Sequence, residues 1–167
     1  MSLHVHTQGQ GSDVVMLHGW AMHSGVFDGL LPTLTKNYRV HCIDLPGHGH
    51  SAYHQEMRSI QQLAASVEPY VPHNAMVLGW SLGGQVALQL AQYLPMRALV
   101  LVSTTPKFVA STDWSAGMSE AVFAQFFARL HENHLRTVQD FLSLQVRGDI
   151  QAGETLSKLK ETLLQCS

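Results

Sequence analysis

The sequence predicts an α/β protein: a mostly parallel sheet with helices on both faces. Three observations predict it. Short apolar runs of strand length recur along the first hundred residues, helical periodicities fall between them, and glycine-rich turns follow several of the runs. Strand, helix and strand in alternation call for parallel neighbours joined by right-handed crossovers. At 167 residues, with 46% hydrophobic and 13% charged side chains, the chain can bury one sizeable core, so one domain plus an appendage is expected.

Taken in order, Leu3 to Thr7 alternates apolar and polar residues, and Gly9, Gly11, Ser12 and Asp13 turn the chain into the apolar run Val14 to Leu17. These two strands are expected to form a hairpin. A helical pattern covers Ser24 to Lys36, a strand Tyr38 to Asp44, a second helix Ser59 to Val71, and a strand Ala75 to Gly79. In the helix Leu82 to Leu94, Val86, Leu90 and Leu94 repeat at four-residue spacing and build an apolar stripe against the sheet. Ala98 to Ser103 is the last strand, and these apolar runs suit a sheet covered on both faces.

From about Met118 onward only helical periodicity remains. Val122, Phe123, Phe126, Phe127 and Leu130 form one stripe, Leu135, Val138, Phe141 and Leu142 another, and Glu154 to Leu164 a third with Leu156, Leu159, Leu163 and Leu164. Helix-to-helix packing is the ordinary reading of such stripes. The expected division is therefore 1–110 for the α/β part and 111–167 for a helical part, with no internal repeat, low-complexity tract or charge block.

A net charge of −2 gives no broad attraction to nucleic acid or an anionic membrane, so a charged partner needs a local patch. The apolar runs are far too short to span a bilayer, and MSLHVHTQGQGSD lacks the basic segment and apolar core of a secretory signal, which makes the cytoplasm the expected compartment. Cys42 and Cys166 make no disulfide framework and are expected as free thiols. Among the eleven histidines, His48, His50 and His54 are interleaved with Gly47 and Gly49 after Pro46, which favours a loop over a rigid ligand face; His131 and His134 lie three apart on a helix without nearby thiols or carboxylates of suitable spacing.

The stretch Leu78-Gly79-Trp80-Ser81-Leu82-Gly83-Gly84 carries the chemistry. A serine between a strand and a helix is usually structural. Here Gly79 and Gly83 remove side chains on either side, as a sharp bend exposing the hydroxyl requires. The turn opens a helix, so the N–H of Leu82 and the helix dipole can stabilise an oxyanion beside Ser81. His18-Gly19-Trp20 follows the strand Val14 to Leu17, where a second donor is expected from the N–H of Trp20. His18 is expected to shape this loop and not to act as a base. Asp44-Leu45-Pro46-Gly47-His48-Gly49-His50-Ser51 follows the next strand, with Asp44 expected in a structural turn role.

That last stretch resembles the D-x-P-G-x-G-x-S signature of α/β-hydrolases. With His18-Gly19-Trp20, Gly79 to Gly84 and Ser103-Thr104-Thr105-Pro106-Lys107-Phe108, the chain is similar to the pimeloyl-acyl-carrier-protein methyl ester esterases of biotin synthesis. Asp113-Trp114 and Arg136 to Gln145 resemble the start and the substrate-contacting helix of that family's lid. The resemblance implies an α/β-hydrolase fold with a helical lid and a serine carboxylesterase with Ser81 as nucleophile. It places Trp20 and Leu82 at the oxyanion, with Trp20, Ser81, Leu82, Phe141, Leu142, Ser143, Leu144 and Gln145 against substrate. It implies no metal or organic cofactor, and an acyl carrier protein as partner. Arg136, Arg147, Lys158 and Lys160 would offer an acidic carrier a docking patch. Between residues 129 and 160, however, five basic residues stand against four acidic ones, which also suits a solvated helical face.

In this family the triad acid and histidine follow the lid. After Ser81 the chain offers Asp113, Asp140, Asp149, several glutamates, His131 and His134, all in or near helical sequence, so the acid and base are expected beyond residue 167 and the chain is expected to stop within the lid. Two other readings stay open at this point: another α/β-hydrolase, such as a short-chain carboxylesterase or a carbon–carbon bond hydrolase, and a non-catalytic module that binds through the same cleft.

Overall fold

The computed structural model describes residues 2–53, 55 and 57–164. The chain divides into two compact units, the first ending at Pro106 and the second beginning at Lys107.

The first unit is a five-stranded sheet with helices. Its strands are β1 (Val5–Gln8), β2 (Ser12–Leu17), β3 (Tyr38–Ile43), β4 (Met76–Trp80) and β5 (Ala98–Val102), in the order β1-β3-β2-β4-β5. β2 runs parallel to both β3 and β4, and β4 parallel to β5. The expected hairpin of β1 with β2 does not form: β1 pairs antiparallel with β3, which lies between them. The physical reason is burial. Val15, Met16 and Leu17 are fully buried and need neighbours on both sides, whereas β1 is mostly exposed and suits an edge. One side-chain relay ties these three strands together: the Thr7 hydroxyl meets His41 Nδ1 at 3.0 Å, and His41 Nε2 meets the Asp13 carboxylate at 2.7 Å.

Alternation along β2 and β3 divides the core between the two faces of the sheet. Val15, Leu17 and Ile43 pack with Ala64, Val67, Val86, Ala87 and Leu90, while Val14, Met16, Val40 and Cys42 pack with Phe27 and Leu31. Burying each Val, Leu, Ile, Met or Phe among them fully contributes about 1.5–3 kcal/mol. The first face is covered by α2 (Ile60–Val67) and α3 (Leu82–Leu90). α2 starts where the Ser59 hydroxyl accepts the Gln62 N–H. The single helix expected over Ser24 to Lys36 is instead a 3₁₀ turn, Ser24–Phe27, and a one-turn α1, Leu31–Leu34. Asp28, Gly29 and Leu30 separate the two, and Pro32, which lacks the N–H that a continuous helix would bond to the Asp28 carbonyl, stands in the first turn of α1, where that N–H would go unpaired anyway. Coverage fails at β5, which among the described residues pairs with β4 alone and leaves Val100, Leu101 and Val102 exposed.

The second unit opens with a looped segment in which Ala110 N–H donates to the Met118 carbonyl and Met118 N–H to that of Phe108. Three helices follow, α4 (Glu120–Glu132), α5 (His134–Gln145) and α6 (Ala152–Leu164). Ser119 caps α4, and Asn133 both ends α4 and caps α5 through its side chain to Arg136 N–H. Phe126 and Phe141 meet across α4 and α5 with ring centroids 6.3 Å apart. Of the expected stripes, Val138 and Leu142 are buried, but Leu135 is exposed in the first turn of α5. Among the described residues no helix is long and apolar enough to cross a membrane.

Candidate active site

Parallel β2, β3 and β4 carry their following loops to the same end of the sheet, the end at which open α/β sheets place ligands. Ser81 stands at the end of β4 and caps α3 with φ 53° and ψ −115°. A non-glycine residue there costs on the order of 1–3 kcal/mol and persists only when its surroundings fix it. Four hydrogen bonds do so. Ser81 N–H donates to the Val102 carbonyl at 3.0 Å, and the Ser81 carbonyl accepts from the Thr104 hydroxyl at 2.6 Å, Gly84 N–H at 3.0 Å and Gln85 N–H at 3.3 Å. Among the described residues, the Ser81 hydroxyl itself takes part in no hydrogen bond.

The bend admits no side chain on either flank. A Cβ on Gly79 would stand 2.5 Å from Gly84 Cα, and one on Gly83 would stand 2.5 Å from the Leu17 carbonyl carbon and 2.6 Å from the His18 oxygen. The same packing brings the 18–20 loop to the serine: a Cβ on Gly19 would lie 3.3 Å from Ser81 Cβ. Ala21 (φ 61°) and Ser103 (φ 45°) also hold left-handed backbone, so positive φ at non-glycine residues follows β2, β4 and β5 alike. Strain of this kind concentrates at functional sites.

His18 is fully buried beneath this loop. Its Nε2 accepts the Leu45 N–H at 2.9 Å, so Nδ1 carries the proton and donates to the Gly19 carbonyl at 2.8 Å. Burial, with His48 beside it, pushes the imidazole down to about 3, which keeps it neutral. Both ring nitrogens are engaged with backbone, an arrangement suited to shaping the loop and not to general-base work. Burial alone would raise the Asp44 carboxyl, but the His50 and Ser24 backbone N–H groups, at 2.9 and 2.7 Å, outweigh it and hold Asp44 below its usual range. Asp44 thereby staples two loops. The Ser51 hydroxyl donates to the Asp44 carbonyl and accepts His4 N–H, extending the staple to the chain leading into β1.

His48 is held neutral by burial, with Nδ1 near the Pro46 carbonyl. Burial pushes the Cys42 thiol up to about 12, so it is a core group and not a nucleophile. His54 and Cys166 lie outside the described residues. Among the described residues no three His, Cys, Asp or Glu side chains gather as metal ligands.

Leu82 is the first residue of α3, directly after Ser81, and Trp20 directly follows Gly19, the residue that lies against Ser81. The remaining expected site residues belong to the second unit. Phe141 to Gln145 are five consecutive residues of α5 and point around more than a full turn: Leu142 is buried, Phe141 half-buried, and Ser143, Leu144 and Gln145 exposed. Arg136, Arg147, Lys158 and Lys160 are exposed, with Arg136 4.0 Å from Asp140 and Lys158 2.7 Å from Glu154. His131 lies on α4 and His134 opens α5; Asp113 binds Lys107 and Ser111, and Asp149 caps the turn before α6. Thr104 enters from the sequence only within the Ser103 to Phe108 stretch and with no role, whereas the structure puts its hydroxyl on the Ser81 carbonyl. Its signal was a hydroxyl side chain immediately after a strand neighbouring the serine strand.

The chain matches a family model described as the alpha/beta hydrolase family over residues 14–161. It is 43% identical over 166 residues to a pimeloyl-[acyl-carrier protein] methyl ester esterase of Nitrosomonas europaea, covering 98% of this chain and 66% of that protein. Over 175 residues it is 38% identical to a protein of the same name from Nitrosospira multiformis, again covering 66% of it. The chain thus spans just under two thirds of the length of these curated relatives. Among solved structures, an esterase from Exiguobacterium antarcticum superposes with a TM-score of 0.85 at 20% identity, covering 99% of this chain and 65% of that one; a bromoperoxidase from Bacillus anthracis gives 0.82 at 22%, covering 99% and 65%. At these identities the structures speak for the fold alone.

Proposed function

The chain belongs to the alpha/beta hydrolase family, and from that premise we propose that its protein is a serine carboxylesterase that removes the methyl ester from a pimeloyl group carried on acyl carrier protein. The observation that carries the reading is Ser81, held at φ 53° at the mouth of α3 with the 18–20 loop against it. The names of the relatives supply the substrate class.

In the proposed reaction the Ser81 hydroxyl loses its proton to a general base and attacks the ester carbonyl. The N–H groups of Trp20 and Leu82 hold the oxyanion that forms. Collapse expels methanol, protonated by the same base, and water then attacks the acyl-serine to release the free carboxylate. We place the triad acid and base in the part of the relatives' length that this chain does not span. To the second unit we assign acyl-chain contacts by Phe141 to Gln145 and carrier docking by Arg136, Arg147, Lys158 and Lys160. Exposed apolar side chains such as Phe127, Leu135 and Leu144, and the exposure of all four cations, support these assignments.

The test is mass spectrometry of an intact methyl-pimeloyl carrier conjugate incubated with the full-length protein that contains this chain. Loss of one methylene unit, with the thioester intact and the loss abolished in Ser81→Ala, is expected. Release of free carrier would show a thioesterase instead, and an unchanged conjugate alongside hydrolysis of simple esters would show a broad carboxylesterase.

A further inference from the structure

We propose that His18 and Thr104 are positioning residues, each gripping the carbonyl of one peptide so that the N–H of the same peptide is aimed at the oxyanion. The inference rests on the assignment of Trp20 and Leu82 as oxyanion donors. The N–H of Trp20 shares its peptide with the Gly19 carbonyl, and the N–H of Leu82 shares its peptide with the Ser81 carbonyl. No cis peptide bond occurs among the described residues. In a planar trans peptide, C=O and N–H point in opposite directions, so fixing one fixes the other.

Both carbonyls are gripped from behind. The Gly19 oxygen accepts His18 Nδ1–H at 2.8 Å and Met22 N–H at 3.3 Å; the Ser81 oxygen accepts the Thr104 hydroxyl at 2.6 Å. His18 is itself locked by Leu45 N–H on Nε2, which leaves Nδ1 as the only donor position. Thr104 is seated by contact: a Cβ on Gly84 would stand 2.6 Å from its Cβ, Cγ2 and Oγ1, so the glycine makes room for the threonine. The two grips differ in redundancy. The Ser81 carbonyl also accepts Gln85 N–H in the helical pattern, whereas among the described residues the Gly19 carbonyl has only a long turn bond besides His18. His18 should therefore matter more.

Matched pairs of variants separate positioning from bulk. His18→Asn keeps an N–H donor where Nδ1 stands, while His18→Gln reaches only the Nε2 position and leaves the Gly19 carbonyl ungripped. Thr104→Ser keeps the hydroxyl, and Thr104→Val keeps the shape without it. Losing an oxyanion donor outright costs about 10²–10³-fold in kcat, so misaiming one should cost less. The expected losses in ester hydrolysis by the full-length protein are about 10–100-fold in kcat for His18→Gln and about 3–10-fold for Thr104→Val, with KM within about twofold. His18→Asn and Thr104→Ser should each restore most of that loss. An activity-independent readout accompanies this. In NMR of the same variants, the Trp20 amide should shift and exchange faster in His18→Gln, and the Leu82 amide in Thr104→Val. Equal losses within each pair, a loss carried by KM, or unmoved Trp20 and Leu82 amides would overturn the proposal. Turnover that survives Ser81→Ala would instead sink the esterase reading, and the amide signals would still decide whether the grips exist. If His18→Gln does not fold, the Thr104 pair decides.

Discussion

The surroundings of Ser81 and the helices of the second unit are built on opposite principles. Around the serine the fixing groups act on backbone atoms, with His18 and Asp44 buried and Thr104 half-buried: His18 on Gly19, Asp44 on Ser24 and His50, Thr104 on Ser81. In the second unit the charged contacts are exposed side-chain pairs, Lys107 with Asp113, Arg136 with Asp140 and Lys158 with Glu154. Buried polar groups lose much when one partner goes, whereas exposed pairs are screened by water and contribute little. The difference teaches where precision resides. The proposed site would have to hold two N–H donors and one hydroxyl to within a fraction of an ångström, and its residues are set in the first unit, whereas exposed apolar surface is found in the second.

The sharpest way to break this contrast is at Ser81. Ser81→Ala should lower ester turnover on the order of a million-fold, while thermal melting of the protein stays nearly unchanged. Next in size is packing. Leu90 is fully buried in the core, so Leu90→Ala should destabilise by about 2–5 kcal/mol. Leu135, 72% exposed on α5, should tolerate the same change within about 0.5 kcal/mol in denaturant titration. Similar costs at both would remove the contrast.

Acid gives a third, smaller effect. Burial takes His18 from 6.5 down to about 3, so below pH 6.5 the unfolded chain binds a proton there that the folded chain refuses until about pH 3. Stability should fall as pH drops through that window, and His48, also lowered by burial, acts in the same direction. Asp44, depressed below 3.8, adds a loss only at the acid end of the range. Urea midpoints from pH 7 to 4 should decline in the wild type and decline less in His18→Asn; identical slopes would contradict a neutral buried imidazole. Smallest of all is Asp113→Asn. Lys107 and Ser111 hold that carboxyl down to about 2, yet it lies fully in water, and no measurable change in melting is expected.

Much of the first unit was legible because its signals are local. Apolar runs marked β2 to β5, and Gly79 and Gly83 marked the bend at Ser81. The pairing of β1 was not legible, because a glycine turn indicates a reversal without telling which strand enters afterwards; only the full burial of Val15 to Leu17 demanded a neighbour between them. The division of Ser24 to Lys36 escaped for a similar reason, since apolar spacing outvoted the local costs of Asp28-Gly29 and Pro32. At the site, residue types were readable but grips were not. That Thr104 donates to Ser81 depends on β5 lying beside β4, a contact across 23 positions.

The central claim is that Ser81 is the covalent nucleophile, and adduct mapping tests it most directly. The protein is treated with a fluorophosphonate, digested, and its labelled peptide sequenced by tandem mass spectrometry. A single adduct on Ser81, with loss of ester hydrolysis in step with labelling, is the predicted result. Labelling at another residue, or hydrolysis that persists in fully labelled protein, would contradict it.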